Sequence, residues 1–310
     1  MIRLGVVVVT YNSREVLPGL ASSLADGCRG TDWEVAVVDN ASTDASAEMA
    51  RQCVPHAHIV LMGRNAGYAA GINAGVQRLG DKDAYLLLNP DVRLGPGCVS
   101  ELWRAMTEHA AGIAVPRLVD ARGQVILSQR RRPTMTRAWA DALVGAERAG
   151  RWGTMGEVVA TPEAYDRVSF VDWAEGSTQL VSSVCWRACG PWDETYFLYS
   201  EETEFALRAS DLGFATVFVP TAGAQHLEGG SATSPLHWPL VQANRLRLYS
   251  RRHSLPAAAA FWAALLTREA SRSLLGRKPS RAATKTLLSA RALRRPAGPE
   301  WVRGGSITSR

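Results

Sequence analysis

No stretch of 18 uncharged apolar residues occurs in this 310-residue chain, which excludes a bilayer-spanning helix. The nearest approach, Leu255 to Leu266 (LPAAAAFWAALL), suits a buried or interfacial helix only. The opening MIRLGVVVVTYN has one charge, a short apolar run and no small-residue cleavage site, so no secretory signal is expected. Cysteine is scarce. The five present (Cys28, Cys53, Cys98, Cys185, Cys189) are odd in number and form no CxxC. They read as reduced core thiols of a cytoplasmic protein, not as a disulfide framework. A GxGxxG turn is missing after the first apolar run, which argues against a dinucleotide dehydrogenase. Nor does TYNSREVLPG supply the Gly-rich, Arg/Lys-bearing loop that a nucleotide-sugar pyrophosphorylase needs there.

What is present begins with a core. At 46% hydrophobic residues the chain can bury one, so disordered and fibrous classes are out. The net charge of +6 conceals an asymmetry. Residues 1–244 hold 20 Lys+Arg against 27 Asp+Glu, and residues 245–310 hold 15 against 2. A mildly acidic body therefore carries a strongly basic tail, either an attraction for an anionic surface or a solvated arginine-rich helical face. Without aromatic interleaving or a known motif, nucleic acid is not an expected partner.

Apolar runs at Leu4–Thr10, Trp33–Val38, His58–Met62 and Ala84–Leu88 read as buried strands. Between them lie helical patterns, one capped by Ser13 and running to about Leu24, one from about Thr43 to Cys53, and one from about Ala69 to Leu79. The alternation predicts βαβ units and a parallel sheet, whose ligands sit beyond the carboxyl ends of the strands. From about Asp120 to Ser169 the pattern is weak. Val171 to Val184 then reads as a strand region broken at Gly176, Glu201 to Arg208 as a helix, Ala215 to Val219 as a strand, and Pro239 onward as helical.

Four constellations carry chemistry. Asp39, in VVDNASTDAS, is a strand-end carboxylate able to accept the imide N–H of a pyrimidine ring, or to serve as a turn residue. In Asn89-Pro90-Asp91 the proline fixes the backbone, and the carboxylate can hold Mg²⁺ or Mn²⁺ or simply close a turn. Glu201, Glu202 and Glu204 crowd three carboxylates into four positions, which raises at least one pKa as a general base requires, or else starts a solvated helix. His226, followed by Glu228-Gly229-Gly230-Ser231, is a metal ligand or a packed histidine.

The order of these segments is more specific than any one of them. VVVTYN, VVDNAS, RNAGYAAGINAG, LLLNPDV, WAEGSTQLVS, GPWDETYFLYSEETEFALR and H-x-x-G-G-S together resemble the family 2 glycosyltransferases over residues 3–232. They are most similar to the bacterial rhamnosyltransferase-type branch, where Asn-Pro-Asp replaces Asp-x-Asp. The resemblance implies an α/β GT-A fold, a Rossmann-like nucleotide-binding half fused to an acceptor-binding half, over residues 1–244, with 245–310 as a basic helical extension. It also implies inverting, metal-assisted transfer of a sugar, L-rhamnose or another 6-deoxyhexose, from a dTDP or UDP donor to an acceptor hydroxyl. That acceptor is a lipid-linked glycan or a small metabolite.

By motif, Thr10, Asn12 and Asp39 are implied to line the nucleotide, with Asp39 on the base. Asn65, Gly71 and Asn73 are implied to bound the ribose and diphosphate, and Asn89 and Asp91 the diphosphate and its Mg²⁺ or Mn²⁺. His226 is implied as a further metal ligand, and Trp173 and Gly176 as the sugar and acceptor face. The family's Glu-Asp-x-Asp base falls on Glu202, but here the element reads Glu201-Glu202-Thr203-Glu204. The pocket is therefore reshaped around Glu202, or Glu201 or Glu204 serves instead, or activity is lost and the chain only binds nucleotide sugars or glycans. A cytoplasmic location is expected, with the tail attached to the inner membrane face, to the body or to a second subunit.

Overall fold

Four of the apolar runs become four parallel strands. β1 (Arg3–Thr10), β2 (Asp32–Asp39), β3 (His58–Leu61) and β4 (Ala84–Leu88) lie in the order β3-β2-β1-β4. This is a computed structural model, and it describes residues 1–227 and 235–301. The crossovers are α1 (Leu17–Gly27), α2 (Ser46–Cys53) and α3 (Tyr68–Leu79), close to the predicted spans. Ser13 is not the cap of α1, which starts at Leu17. Its hydroxyl accepts the Tyr11 N–H at 3.2 Å and its own N–H donates to Ser46 Oγ at 2.8 Å, so it ties together the loops after β1 and β2.

Past β4 the sheet changes character. β5 (Val92–Leu94), α4 (Cys98–Glu108) and β6 (Ile113–Val119) follow in the chain. The weakly patterned region then yields β7 (Gln129–Arg130), α5 (Met135–Val144, capped by Thr134) and α6 (Ala146–Arg151). Next come β8 (Ser169–Val171), β9 (Trp173–Ala174), β10 (Thr178–Ser182), α7 (Ser183–Cys189), α8 (Glu201–Asp211) and β11 (Thr216–His226). The expected strand region at 171–184 is thus three short strands and the start of a helix. β10 enters antiparallel between β4 and β6, and β11 runs parallel to β6.

β11 outruns its predicted end at Val219. A register shift between Val219 and Gly223 bends it. Its last residues then pair antiparallel with β5, setting His226 opposite Val92 and so beside Asp91. This bend positions the site.

The tail comprises α9 (Trp238–Arg252), α10 (Leu255–Leu274), α11 (Lys278–Leu287) and α12 (Ala290–Arg294). A boundary at 244/245 falls inside α9. The apolar stretch 255–266 is a packing face: Phe261, Ala264 and Leu265 are buried with Tyr249, Leu287 and Ala138 of α5. Phe261 stacks on Tyr249 at 3.9 Å between centroids. Among the described residues no helix is long and apolar enough to cross a membrane.

Candidate active site

A cleft of about 790 Å³ opens at the carboxyl ends of β1 and β4, where the strand-end residues were expected to gather. Of the residues named from sequence, Thr10, Asn12, Asn65, Asn89 and Asp91 line it. Tyr11, Asp44, Tyr68 and His237 line it as well. Tyr11 stood in the quoted motif and could have been named, since it lies between two named residues at a strand end.

The nucleotide-side loops are stitched by their own side chains. Asn12 accepts the Thr43 N–H at 2.8 Å through Oδ1, and Asn65 accepts the Gly67 N–H at 3.1 Å. Thr10 is fully buried and donates to Asp39 Oδ1 at 3.1 Å, while Asp39 Oδ2 accepts the Ser42 N–H at 3.0 Å. Asp39 is therefore a nearly buried turn carboxylate, held in place from both sides.

Two expected ligand residues have other work. A Cβ on Gly71 would come within 2.7 Å of Val9, so this glycine lets α3 settle onto β1. Asn73 donates to the Trp192 carbonyl and to Glu194 Oε1, both at 2.9 Å, and accepts the Trp192 N–H at 2.9 Å. Its amide clamps the segment before α8 to α3 and is not free for a ribose or diphosphate.

The segment before α8 is strained. Phe197, Tyr199 and Ser200 have φ of 64°, 70° and 75°, costly for non-glycine residues. One amide holds it: Asn244 Nδ2 lies 2.9, 2.9 and 3.0 Å from the carbonyls of Tyr196, Leu198 and Tyr199. Gly67 supports it from below. With φ +95°, its absent Cβ would sit 2.3 Å from the Phe197 carbonyl oxygen. Gly67→Ala is therefore expected to cost about 2–4 kcal/mol in urea unfolding. A loss under about 0.5 kcal/mol would mean that the loop yields freely.

This strain delivers the three glutamates to different places. Glu204 pairs with Arg208 in two contacts, at 2.8 and 3.1 Å, and turns its charge to the helix surface. Glu201 is buried, and burial followed by the neighbouring Glu202 pushes its carboxyl well above the usual range. Glu202 keeps part of its surface accessible. Burial raises its pKa to about 7, its own N–H and that of Thr203 pull it down, and Glu175 pushes it up. Gly176 lies against it, and a Cβ there would meet Glu202 Cβ at 3.1 Å.

Glu175 was not singled out, although it lies between Trp173 and Gly176. Its Oε1 stands 3.2 Å from His226 Nδ1, while His226 Nε2 stands 3.3 Å from Asp91 Oδ1. Burial pulls the His226 pKa down, but hydrogen bonds to the two carboxylates outweigh it and raise it to about 10. Trp173 adjoins this acidic end through Arg130, whose guanidinium lies 5.8 Å from its ring centroid, and donates its indole N–H to the Arg131 carbonyl. Tyr68 closes the group, its hydroxyl 3.5 Å from the Gly176 carbonyl and its pKa pushed up by burial, then by Glu201, Glu202 and Asp91.

The donor chemistry at Asp91 and His226 fits a divalent cation, whose binding would displace the proton that the two carboxylates favour on the imidazole. Two cis ligands at about 2.1 Å from an octahedral ion sit about 3.0 Å apart, close to the observed 3.3 Å. A histidine whose other nitrogen faces a carboxylate, as His226 faces Glu175, is the usual arrangement of a ligating imidazole. Among the described residues no three His, Cys, Asp or Glu side chains converge on one point, so substrate oxygens and water would complete the shell. The Glu228-Gly229-Gly230-Ser231 segment lies outside the described residues.

The model of the Glycosyl transferase family 2 family matches residues 5–162, half of the chain. The chain belongs to this family. It is similar to the N-acetylglucosaminyl-diphospho-decaprenol L-rhamnosyltransferase of Mycobacterium tuberculosis, 31% identical over 236 residues, 72% of this chain and 75% of that protein. A second relative is the low-salt glycan biosynthesis hexosyltransferase Agl10 of Haloferax volcanii, 27% identical over 66% of this chain and 61% of that one. Among solved structures, a mannosyltransferase from Pyrobaculum calidifontis in complex with GDP-Man and Mn²⁺ superposes with a TM-score of 0.53 at 15% identity. That match covers 94% of this chain and 86% of the mannosyltransferase. The fold of this family 2 glycosyltransferase is thus the mixed α/β GT-A fold, with a helical C-terminal region.

Proposed function

We propose that this glycosyltransferase moves L-rhamnose or another 6-deoxyhexose from dTDP, or from UDP, to a hydroxyl of a lipid-linked glycan, with inversion and with Glu202 as the general base. One observation carries the mechanism. Of three adjacent glutamates, only Glu202 combines partial accessibility, a pKa near neutrality and proximity to Glu175, which itself faces the His226–Asp91 pair. A base poised near the working pH removes a hydroxyl proton efficiently as the new bond forms. The one-methylene difference from aspartate is matched by Gly176, whose missing side chain leaves room for the longer Glu202.

The other residues orient the donor. Asn89 and Asp91 face the diphosphate, and Asp39 retains lone pairs for a base imide N–H while Thr10 and Ser42 hold its angle. Asp91 and His226 would hold Mg²⁺ or Mn²⁺, which when bound neutralises the diphosphate leaving group. Trp173 and Gly176 form the acceptor side. Rhamnose and the lipid-linked acceptor are taken from the mycobacterial relative and the Asn-Pro-Asp motif. Peripheral attachment of the basic tail to the inner membrane face belongs to the same reading.

A thermal-shift panel tests the donor. dTDP-rhamnose with Mn²⁺, at about 100 times its Kd, is expected to add about 2.7 kcal/mol of stability and raise the melting temperature, ahead of UDP- and GDP-sugars. Equal shifts with all three, or none, would remove the base assignment.

A further inference from the structure

We propose that the turn joining α10 to α11 docks onto an anionic phospholipid surface, with Leu274 and Leu275 entering the interface beside a basic collar. These leucines are 90% and 80% exposed, adjacent in sequence, and followed by exposed Gly276, Arg277 and Lys278. Exposed leucines usually stand alone on a surface; two together at a helix end, ringed by cations, are a different feature. Between residues 270 and 299 there are eight Arg and Lys and no Asp or Glu. An anionic surface complements such a segment, whereas an acidic protein groove would need no apolar tip.

A third leucine joins the tip. Arg272 donates to the Asp141 carbonyl at 3.2 Å and lies 3.5 Å from that of Ala142, which brings the end of α5 alongside. Leu143, in that last turn of α5, is 72% exposed. The stretch that looked most membrane-seeking in sequence, 255–266, instead packs one face, Ala258, Phe261, Ala264 and Leu265, inward, while Leu255 at its start is exposed. Phe261, Ala264 and Leu265 of that face pack against α5, α9 and α11.

The helix that carries the tip is also tied to the segment bordering the cleft. His237 lines the catalytic cleft, and α9 begins at the next residue. Trp238 donates its indole N–H to Glu269 Oε2 at 2.9 Å, and Arg268 lies 5.3 Å from its ring centroid. Leu274 follows Glu269 by five positions, about 7.5 Å of helical rise. The apolar tip therefore lies about one and a half helical turns beyond the contact that ties α10 to the start of α9, next to a cleft-lining residue. Docking there would present the cleft to an acceptor held in the same leaflet; this use of the tip rests on the proposed lipid-linked acceptor, while the binding itself does not.

The test is sedimentation of the full chain with vesicles of phosphatidylcholine alone or with about 30% phosphatidylglycerol, at about 0.15 M salt. Wild type is expected to partition onto the anionic vesicles only. Leu274→Ser/Leu275→Ser is expected to weaken that partition about tenfold or more, and Arg277→Ala/Lys278→Ala several-fold. Melting temperature and donor-induced shift should stay at wild-type values, since both leucines are exposed. Absence of wild-type binding, or equal binding by the leucine variant, would overturn the proposal. So would a wild-type dimer in gel filtration that the leucine variant dissociates, which would give the face to a second copy. Vesicle binding without any donor shift would leave docking intact and remove the donor reading instead.

Discussion

Glu202→Gln is expected to slow transfer about 10²–10⁴-fold while the donor-induced thermal shift stays near wild type. Glutamine keeps the volume against Gly176 and removes only the lone pair that takes the acceptor proton. The loss should fall on kcat, because the proton moves only as the bond forms. The neighbours distinguish the assignment. Glu204 is held by Arg208, so Glu204→Gln should affect helix stability and leave turnover within a few-fold. Glu201 is buried beneath, with one carboxylate oxygen lacking a hydrogen-bond partner, and reaches the reaction only through Glu202. If Glu202→Gln turned over within a few-fold of wild type, the base would have to be sought elsewhere.

Arg245→Ala should have the largest effect on stability, about 3–5 kcal/mol, seen as a fall of about 10 °C in melting temperature. Arg245 reaches from α9 into the body, 2.5 Å from Glu157 Oε2, with Asp141 and Glu269 also drawing on its charge. Truncation leaves Glu157 buried without its partner and removes a nearby positive charge from Asp141, while Glu269 keeps Arg268 and the Trp238 indole N–H. Asp141 already has its pKa raised, first by burial, although Arg245 pulls it down. Converting Arg245 and Glu157 together to methionine should recover part of the loss, because the directly bonded pair is then removed as a unit. A drop under about 1 kcal/mol for Arg245→Ala would show that the tail is only loosely attached to the body.

How much of this could be read in advance depends on how local the cause was. β1, β2 and β4 were legible because their β-branched and leucine runs are largely buried on both faces, whereas β3, at the sheet edge, is only partly buried despite its apolar run. Asn89-Pro90-Asp91 was legible because proline fixes a strand end. The extension of β11 was not, since it comes from a bulge between Val219 and Gly223 that only pairing with β6 and β5 reveals. Glu175 went unnamed because its meaning lies in His226, a residue on a distant strand. Likewise α5 looked formless because its buried face is completed by α10, far along the chain. The structural work of Gly71 and Asn73 was not legible, because packing of α3 demands the same small and amide residues that a ligand would.

The central claim is that Glu202 acts as a base with a pKa near neutrality, and its pH profile tests that most directly. A carboxyl whose folded pKa is raised from 4.5 to about 7 is protonated and inactive below that value and competent above it. kcat/KM for acceptor-dependent release of nucleoside diphosphate should therefore climb tenfold per pH unit below about 7 and level off above it. In Glu202→Gln the limb should vanish along with most of the rate. A wild-type profile flat from about pH 5.5 to 8, or a limb that survives in Glu202→Gln, would contradict the account.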